Sequence, residues 1–183
     1  TSARHDVLHK KYAEVYPQTY EPCLKDEVVY IGKHSLKDEI EVAGVKTNIG
    51  KLILSPTRTY APVVRHLLDN YFPVVHGMVH CSGGGQTKCM KYLPGNFRII
   101  KDNLFTPPVI FDIIQKASKS SDYEMYQVFN MGHRLEVFTS ENKAADMIAV
   151  GKKFGIETQI VGRVEAGDKK ELILKGSFGE IVY

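Results

Sequence analysis

Cysteine is scarce in this chain. Cys23, Cys81 and Cys89 are its three, an odd number without framework spacing. That argues against a disulfide scaffold and for a reducing, cytoplasmic setting. No apolar run is long enough to span a bilayer, and no stretch resembles a signal peptide, so no membrane partner is expected. An excess of charge of one sign is also missing. Lys and Arg number 24 against 21 Asp and Glu, mixed along the chain, with a net charge of +3. This is too mild and too dispersed for a nucleic-acid footprint. A modest positive field still suits a phosphorylated metabolite. The dinucleotide fingerprint with its spaced glycines is absent, and so is the P-loop with its Lys-Ser/Thr. No Ser-His-Asp arrangement follows from spacing, there is no paired-carboxylate motif, and no aromatic-basic interleaving tracks single-stranded nucleic acid. No internal repeat or low-complexity tract occurs. The chain opens at Thr1 without an initiator Met, inside a helix-like pattern. This is read as a truncated or processed form of a longer protein.

What is present is an ordinary globular pattern. A chain of 183 residues fits one domain, or one domain with a decorated start, and can bury a core without disulfides or metal. Leu8, Tyr12 and Val15 have helical spacing, stopped at Pro17. Val28 to Ile31 reads as a short strand, and His34 to Asn48 as a hairpin or excursion around Gly44. Residues 1–50 are thus a helix plus an irregular excursion, and 51–183 the main body. In that body Pro62 opens a helix whose apolar face carries Tyr60, Val64, Leu67, Leu68 and Tyr71. Val74 to Cys81 is a strand, with Val75, Val79 and Cys81 on one face and His76, Met78 and His80 on the other. Phe97 to Lys101 is another. Thr106 caps a helix beginning at Pro107 and Pro108. Asp122 to Phe129 is a short helix. His133 to Thr139 alternates, Leu135 and Val137 inward, Arg134 and Glu136 outward. Ser140 caps a helix ending near Gly155. Gln159 to Val164 and Glu171 to Lys175 read as a hairpin around Gly167-Asp168, and Phe178 to Tyr183 as an edge strand. Helices and strands alternate but hairpins interrupt them, which predicts an α+β fold with helices on a mixed sheet.

The strongest chemical feature is His80-Cys81-Ser82-Gly83-Gly84-Gly85. Three glycines expose backbone N–H groups with no Cβ to hold a ligand away. Between a strand and a helix such donors suit an anion, with Ser82 adding a hydroxyl. The alternative is a tight turn that binds nothing. His80 beside it is either a polar contact or a structural histidine. A metal site on His76, His80, Cys81 and Cys89 is disfavoured, because Cys81 faces away from the two histidines and the cysteines lack finger spacing. Ser55 to Tyr60 leads into a helix, and Arg58 offers a planar donor fork for phosphate or carboxylate. Its alternative is a surface ion pair. Asn130 is a ligand contact or a helix-end cap.

Taken in order, several segments resemble the carboxy-terminal domain of the phosphoribosylformylglycinamidine cyclo-ligases, or aminoimidazole ribonucleotide synthetases. They are Thr1-Ser2-Ala3-Arg4-His5, Leu54 to Tyr60, His80 to Gly85, Leu93-Pro94-Gly95-Asn96, Glu124 to Gly132 and Ile160 to Val164. The resemblance implies a three-layer α/β/α unit around a mixed sheet. It implies an amino-terminal domain, absent here, that holds most contacts to ATP and Mg2+ and the main contact of a homodimer. It implies a phosphorylated small-molecule substrate held in a cleft by His80, Ser82, Gly83, Gly84 and Gly85, with Thr57, Arg58 and Asn130 lining it. The domain alone would be inactive. The chain departs from the usual pattern at Lys88 to Tyr92, where a Glu-Asn pair and a Pro-Arg are expected, and at Gly132 to Leu135. Family contacts beyond Gly85 and Gly132 are therefore not carried over. Alternatives are a non-catalytic binding module, or another ATP-using relative of the amidotransferase, thiamine-monophosphate kinase or selenophosphate synthetase type.

Overall fold

The computed structural model describes residues 2–55 and 58–183. In chain order the helices are α1 (Ser2–Val7), α2 (Lys11–Val15), α3 (Ile49–Ile53), α4 (Ala61–Tyr71), α5 (Val109–Ser118), α6 (Asp122–Val128) and α7 (Ala144–Lys153). The strands are β1 (Glu39–Val42), β2 (Val45–Asn48), β3 (Val75–His80), β4 (Phe97–Lys101), β5 (Leu135–Thr139), β6 (Gly162–Ala166), β7 (Glu171–Gly176) and β8 (Gly179–Val182). The expected α+β class with a mixed sheet is what these elements form. Among the described residues no helix is long and apolar enough to cross a membrane.

Two compact units result. One joins the residues before Arg58 to Pro107–Ser121, and the other joins Arg58–Thr106 to Asp122–Tyr183. The boundary expected at residue 50 therefore falls later, and α5 belongs with the first unit, where it packs on α1. In that unit the helix expected through Leu8 is broken. Leu8 and His9 form parallel bridges to His34 and Gly32, which pull the backbone out of helical geometry. The strand expected over Val28 to Ile31 does not form. Tyr30 sits at φ +52, a left-handed conformation that ends an extended run. Its buried ring packs among His5, Tyr12 and Tyr20. The expected hairpin is β1–β2, turned at Ala43 and Gly44, both at positive φ as such a two-residue turn requires.

In the second unit β3 and β5 make an antiparallel ribbon. Met78 and Val137 join a cluster with Val63 and Leu67 of α4 and Met147 and Val150 of α7. Val75 shares that side with Met78 because the register shifts between Val75 and Gly77, which breaks the strict alternation expected for the strand. The four-stranded sheet has the order β6-β4-β7-β8. The hairpin expected between Gln159 to Val164 and Glu171 to Lys175 is absent, because β4 lies between them, antiparallel to β6 and parallel to β7. The real hairpin is β7–β8, with β8 as the edge strand. Pro108 precedes the first turn of α5 and does not begin it.

Candidate functional site: a glycine turn over a buried ion pair

The turn begins where β3 ends. Cys81 N–H donates to the Arg134 carbonyl at 2.8 Å, and Asn130 Nδ2 donates to the Cys81 carbonyl at 3.1 Å. The chain then reverses through Gly84 (φ +92) and Gly85 (φ +49) into a 3₁₀ helix over Gly85–Lys91. Gly85 N–H donates to the Ser82 carbonyl at 3.2 Å, and both N–H and Oγ1 of Thr87 donate to the Gly84 carbonyl. The three glycines therefore differ. A Cβ on Gly85 would lie 2.5 Å from the Phe129 carbonyl oxygen and 2.7 Å from that of Tyr126, so Gly85 is a packing glycine against the end of α6. A Cβ on Gly83 meets nothing within 4 Å. The N–H groups of Gly83 and Gly84 have no acceptor among the described residues. Ser82 is exposed, and its Oγ accepts from Lys88 Nζ at 2.6 Å.

A buried polar network lies under the turn. Lys101, at the end of β4, is 2% exposed. Its ammonium donates to the Gln86 carbonyl at 3.2 Å, to Gln86 Oε1 at 2.9 Å and to Glu136 Oε1 at 2.5 Å. Gln86 Nε2 donates to the Asn130 carbonyl at 2.6 Å. One lysine thus links β4, β5, the 3₁₀ helix and, through Gln86, the turn after α6. Glu136, expected to face outward, is buried because this ammonium holds it. Its second oxygen, Oε2, is buried without a hydrogen bond. Cys81 and Cys89 border the network. Burial, then the Glu136 carboxylate, pushes the Cys81 thiol far up, and burial raises Cys89 although Lys101 opposes it. Both thiols stay protonated and are poor nucleophiles. Cys81 is buried, whereas His76 and His80 are exposed.

His133 is 3% exposed, and its Nε2 accepts the Phe105 N–H at 3.2 Å. Burial, with nearby Lys101, lowers its pKa from 6.5 to about 4. The native state resists the proton that the unfolded chain takes up below 6.5. This contribution is therefore complete above that value and is lost as pH falls towards 4. Its size is on the order of 3 kcal/mol. Urea unfolding at pH 7 and pH 5 is expected to show the loss, and His133→Asn should flatten that part of the slope. An unchanged slope in the variant would show that His133 is not the group responsible.

The sequence candidates fall as follows. His80 ends β3, exposed, with its ring 6.1 Å from that of Tyr60. That contact sets the segment before α4 beside the turn. Arg58, two residues earlier, is exposed and has no ion pair with a described residue. Thr57 lies outside the described residues. Asn130 is half-buried, and its side chain serves the framework: Nδ2 holds Cys81 and Oδ1 accepts the Gly132 N–H at 3.0 Å. Sequence reasoning missed Lys101 and Glu136. The available signal was a charged residue closing the apolar run Ile99-Ile100 and an acid of opposite sign inside an alternating strand.

The family described as AIR synthase related protein, C-terminal domain, matches residues 28–175. Among curated proteins, the phosphoribosylformylglycinamidine cyclo-ligase of Desulfotalea psychrophila is 33% identical over 77% of this chain and 40% of its own length. Those of Pseudothermotoga lettingae and Methanopyrus kandleri are each 32% identical, over 79% and 76% of this chain and 42% and 38% of their own lengths. The chain thus spans about 40% of the length of such relatives. Among solved structures, E. coli HypE, a hydrogenase maturation protein, matches in fold with a TM-score of 0.50 at 16% identity, over 74% of this chain and 44% of that one. By a match that takes in most of its length, the chain belongs to the AIR synthase related family as its carboxy-terminal domain.

Proposed function

We propose that this chain is the carboxy-terminal part of an ATP-dependent cyclo-ligase that closes the imidazole ring of formylglycinamidine ribonucleotide in purine biosynthesis. The observation that carries this reading is the run of relatives above 30% identity that bear the cyclo-ligase name. In the reaction, ATP phosphorylates the formyl oxygen to an iminophosphate. An internal nitrogen attacks that carbon, the C–O bond breaks, phosphate leaves and aminoimidazole ribonucleotide results. Such chemistry needs positioning and charge stabilisation more than a protein nucleophile. The free N–H groups of Gly83 and Gly84, with Ser82 and His80, hold a phosphate, and Arg58 and Asn130 border it. Among the described residues no three His, Cys, Asp or Glu side chains converge. The proposal assigns Mg2+, most ATP contacts and the homodimer contact to an amino-terminal domain, and the reaction to the cytoplasm.

The test is turnover. With ATP, the subunit containing both domains is expected to convert formylglycinamidine ribonucleotide to the aminoimidazole, releasing ADP and phosphate, and this chain alone to be inactive. Phosphorylation of thiamine monophosphate or selenide, with none of the ribonucleotide, would overturn the substrate. The departures at Lys88 to Lys91 favour a second reading, a binding module that kept the fold. That module would bind the ribonucleotide without consuming ATP.

A further inference from the structure

We propose that Lys88 completes the anion site on the glycine turn and sets its preference for a doubly charged phosphate over a carboxylate. The inference rests on the proposed role of the turn and adds a residue to it. Lys88 is half-buried, and its stem runs past Gly84, where a Cβ would stand 3.6 Å from the lysine Cβ. Its ammonium is held over Ser82 at 2.6 Å. No carboxylate neutralises it among the described residues, unlike Lys101, Lys116, Lys143, Lys169 and Lys175. The nearby buried pair, Lys101 with Glu136, carries no net charge that could offset it. An ammonium fixed on the turn by Ser82 and lacking a counter-charge favours a bound anion.

The hydrogen bond also has a direction. An ammonium only donates, so Ser82 Oγ accepts from Lys88 and its own O–H proton is left to donate elsewhere. The turn then presents four donors of three kinds: the ammonium, the Ser82 hydroxyl, and the N–H groups of Gly83 and Gly84. A tetrahedral phosphate offers three or more oxygens to such a set, and a carboxylate only two. The charged donor adds most where the ligand carries two charges.

The probe is inorganic phosphate, with acetate as the carboxylate control, titrated into the intact protein. Lys88→Met is expected to weaken phosphate binding about tenfold or more. It should narrow the phosphate-to-acetate ratio and leave the melting temperature in place. Lys88→Arg should restore most of the affinity. Gly83→Asp, at a position with room for a side chain, sets a carboxylate beside the donors and should abolish binding. If Lys88→Met binds phosphate normally while Gly83→Asp does not, Lys88 has no such role and the turn keeps its own. Phosphate binding unaffected by either change, or absent from the unsubstituted protein, would overturn both.

Discussion

Lys101→Met is expected to destabilise the second unit by about 3–5 kcal/mol, the usual cost of removing one partner from a buried pair. The side chain is 2% exposed and its ammonium has three acceptors, the Gln86 carbonyl, Gln86 Oε1 and Glu136 Oε1. Methionine fills much of the stem volume, so the loss measures charge and hydrogen bonding more than a cavity. Glu136 would be left buried and uncompensated, with two unsatisfied oxygens where the native protein has one. Because the pair owes its stability to mutual neutralisation, Lys101→Met with Glu136→Leu should recover much of what the single change loses. Chemical denaturation of the three variants decides the matter. A single variant within about 0.5 kcal/mol of wild type would mean that water reaches the pair.

Gly85→Ala should cost roughly 3 kcal/mol or more, and Gly83→Ala almost nothing. At Gly85 an added methyl meets the backbone of Phe129 and Tyr126 at 2.9 Å or less, and backbone cannot swing aside as a side-chain tip can. The residue also sits at φ +49, where any other L residue is strained. Gly83 is exposed, with open space around its Cβ direction. Equal losses at the two positions, measured by thermal or urea unfolding, would contradict this division of labour. The comparison also gauges which glycine serves a ligand, since only a residue dispensable for packing can be altered and still report on binding.

Local signals in the sequence were good guides to elements and poor guides to pairing. Pro62 and the apolar stripe of α4 announced that helix, and Gly155 marked the end of α7. The β6–β7 hairpin misled because Gly167-Asp168 is sound turn chemistry. What pairs the strands is β4, more than sixty residues upstream, and no local pattern carries that information. Tyr30 misled for another reason: an apolar β-former was held at positive φ by the aromatic cluster around it. At the candidate site the glycine turn was legible from composition. The unequal roles of its glycines were not, because they depend on where the end of α6 packs. Glu136 was placed outward by alternation alone. Its burial became intelligible only with Lys101 across from it.

The position of β4 also bears on the order in which the chain is made. Its five residues leave the ribosome well before either neighbour, β6 at Gly162 or β7 at Glu171. Until then both edges of an apolar strand carrying Ile99 and Ile100 stand bare, a template for pairing with other chains. A ribosome stalled after α7 would release a polypeptide with its helices and the β3–β5 ribbon complete and β4 unpaired. Protection of β4 amides during synthesis should therefore wait for β6 and β7, and nascent chains ending near Gly155 should be the most prone to aggregate.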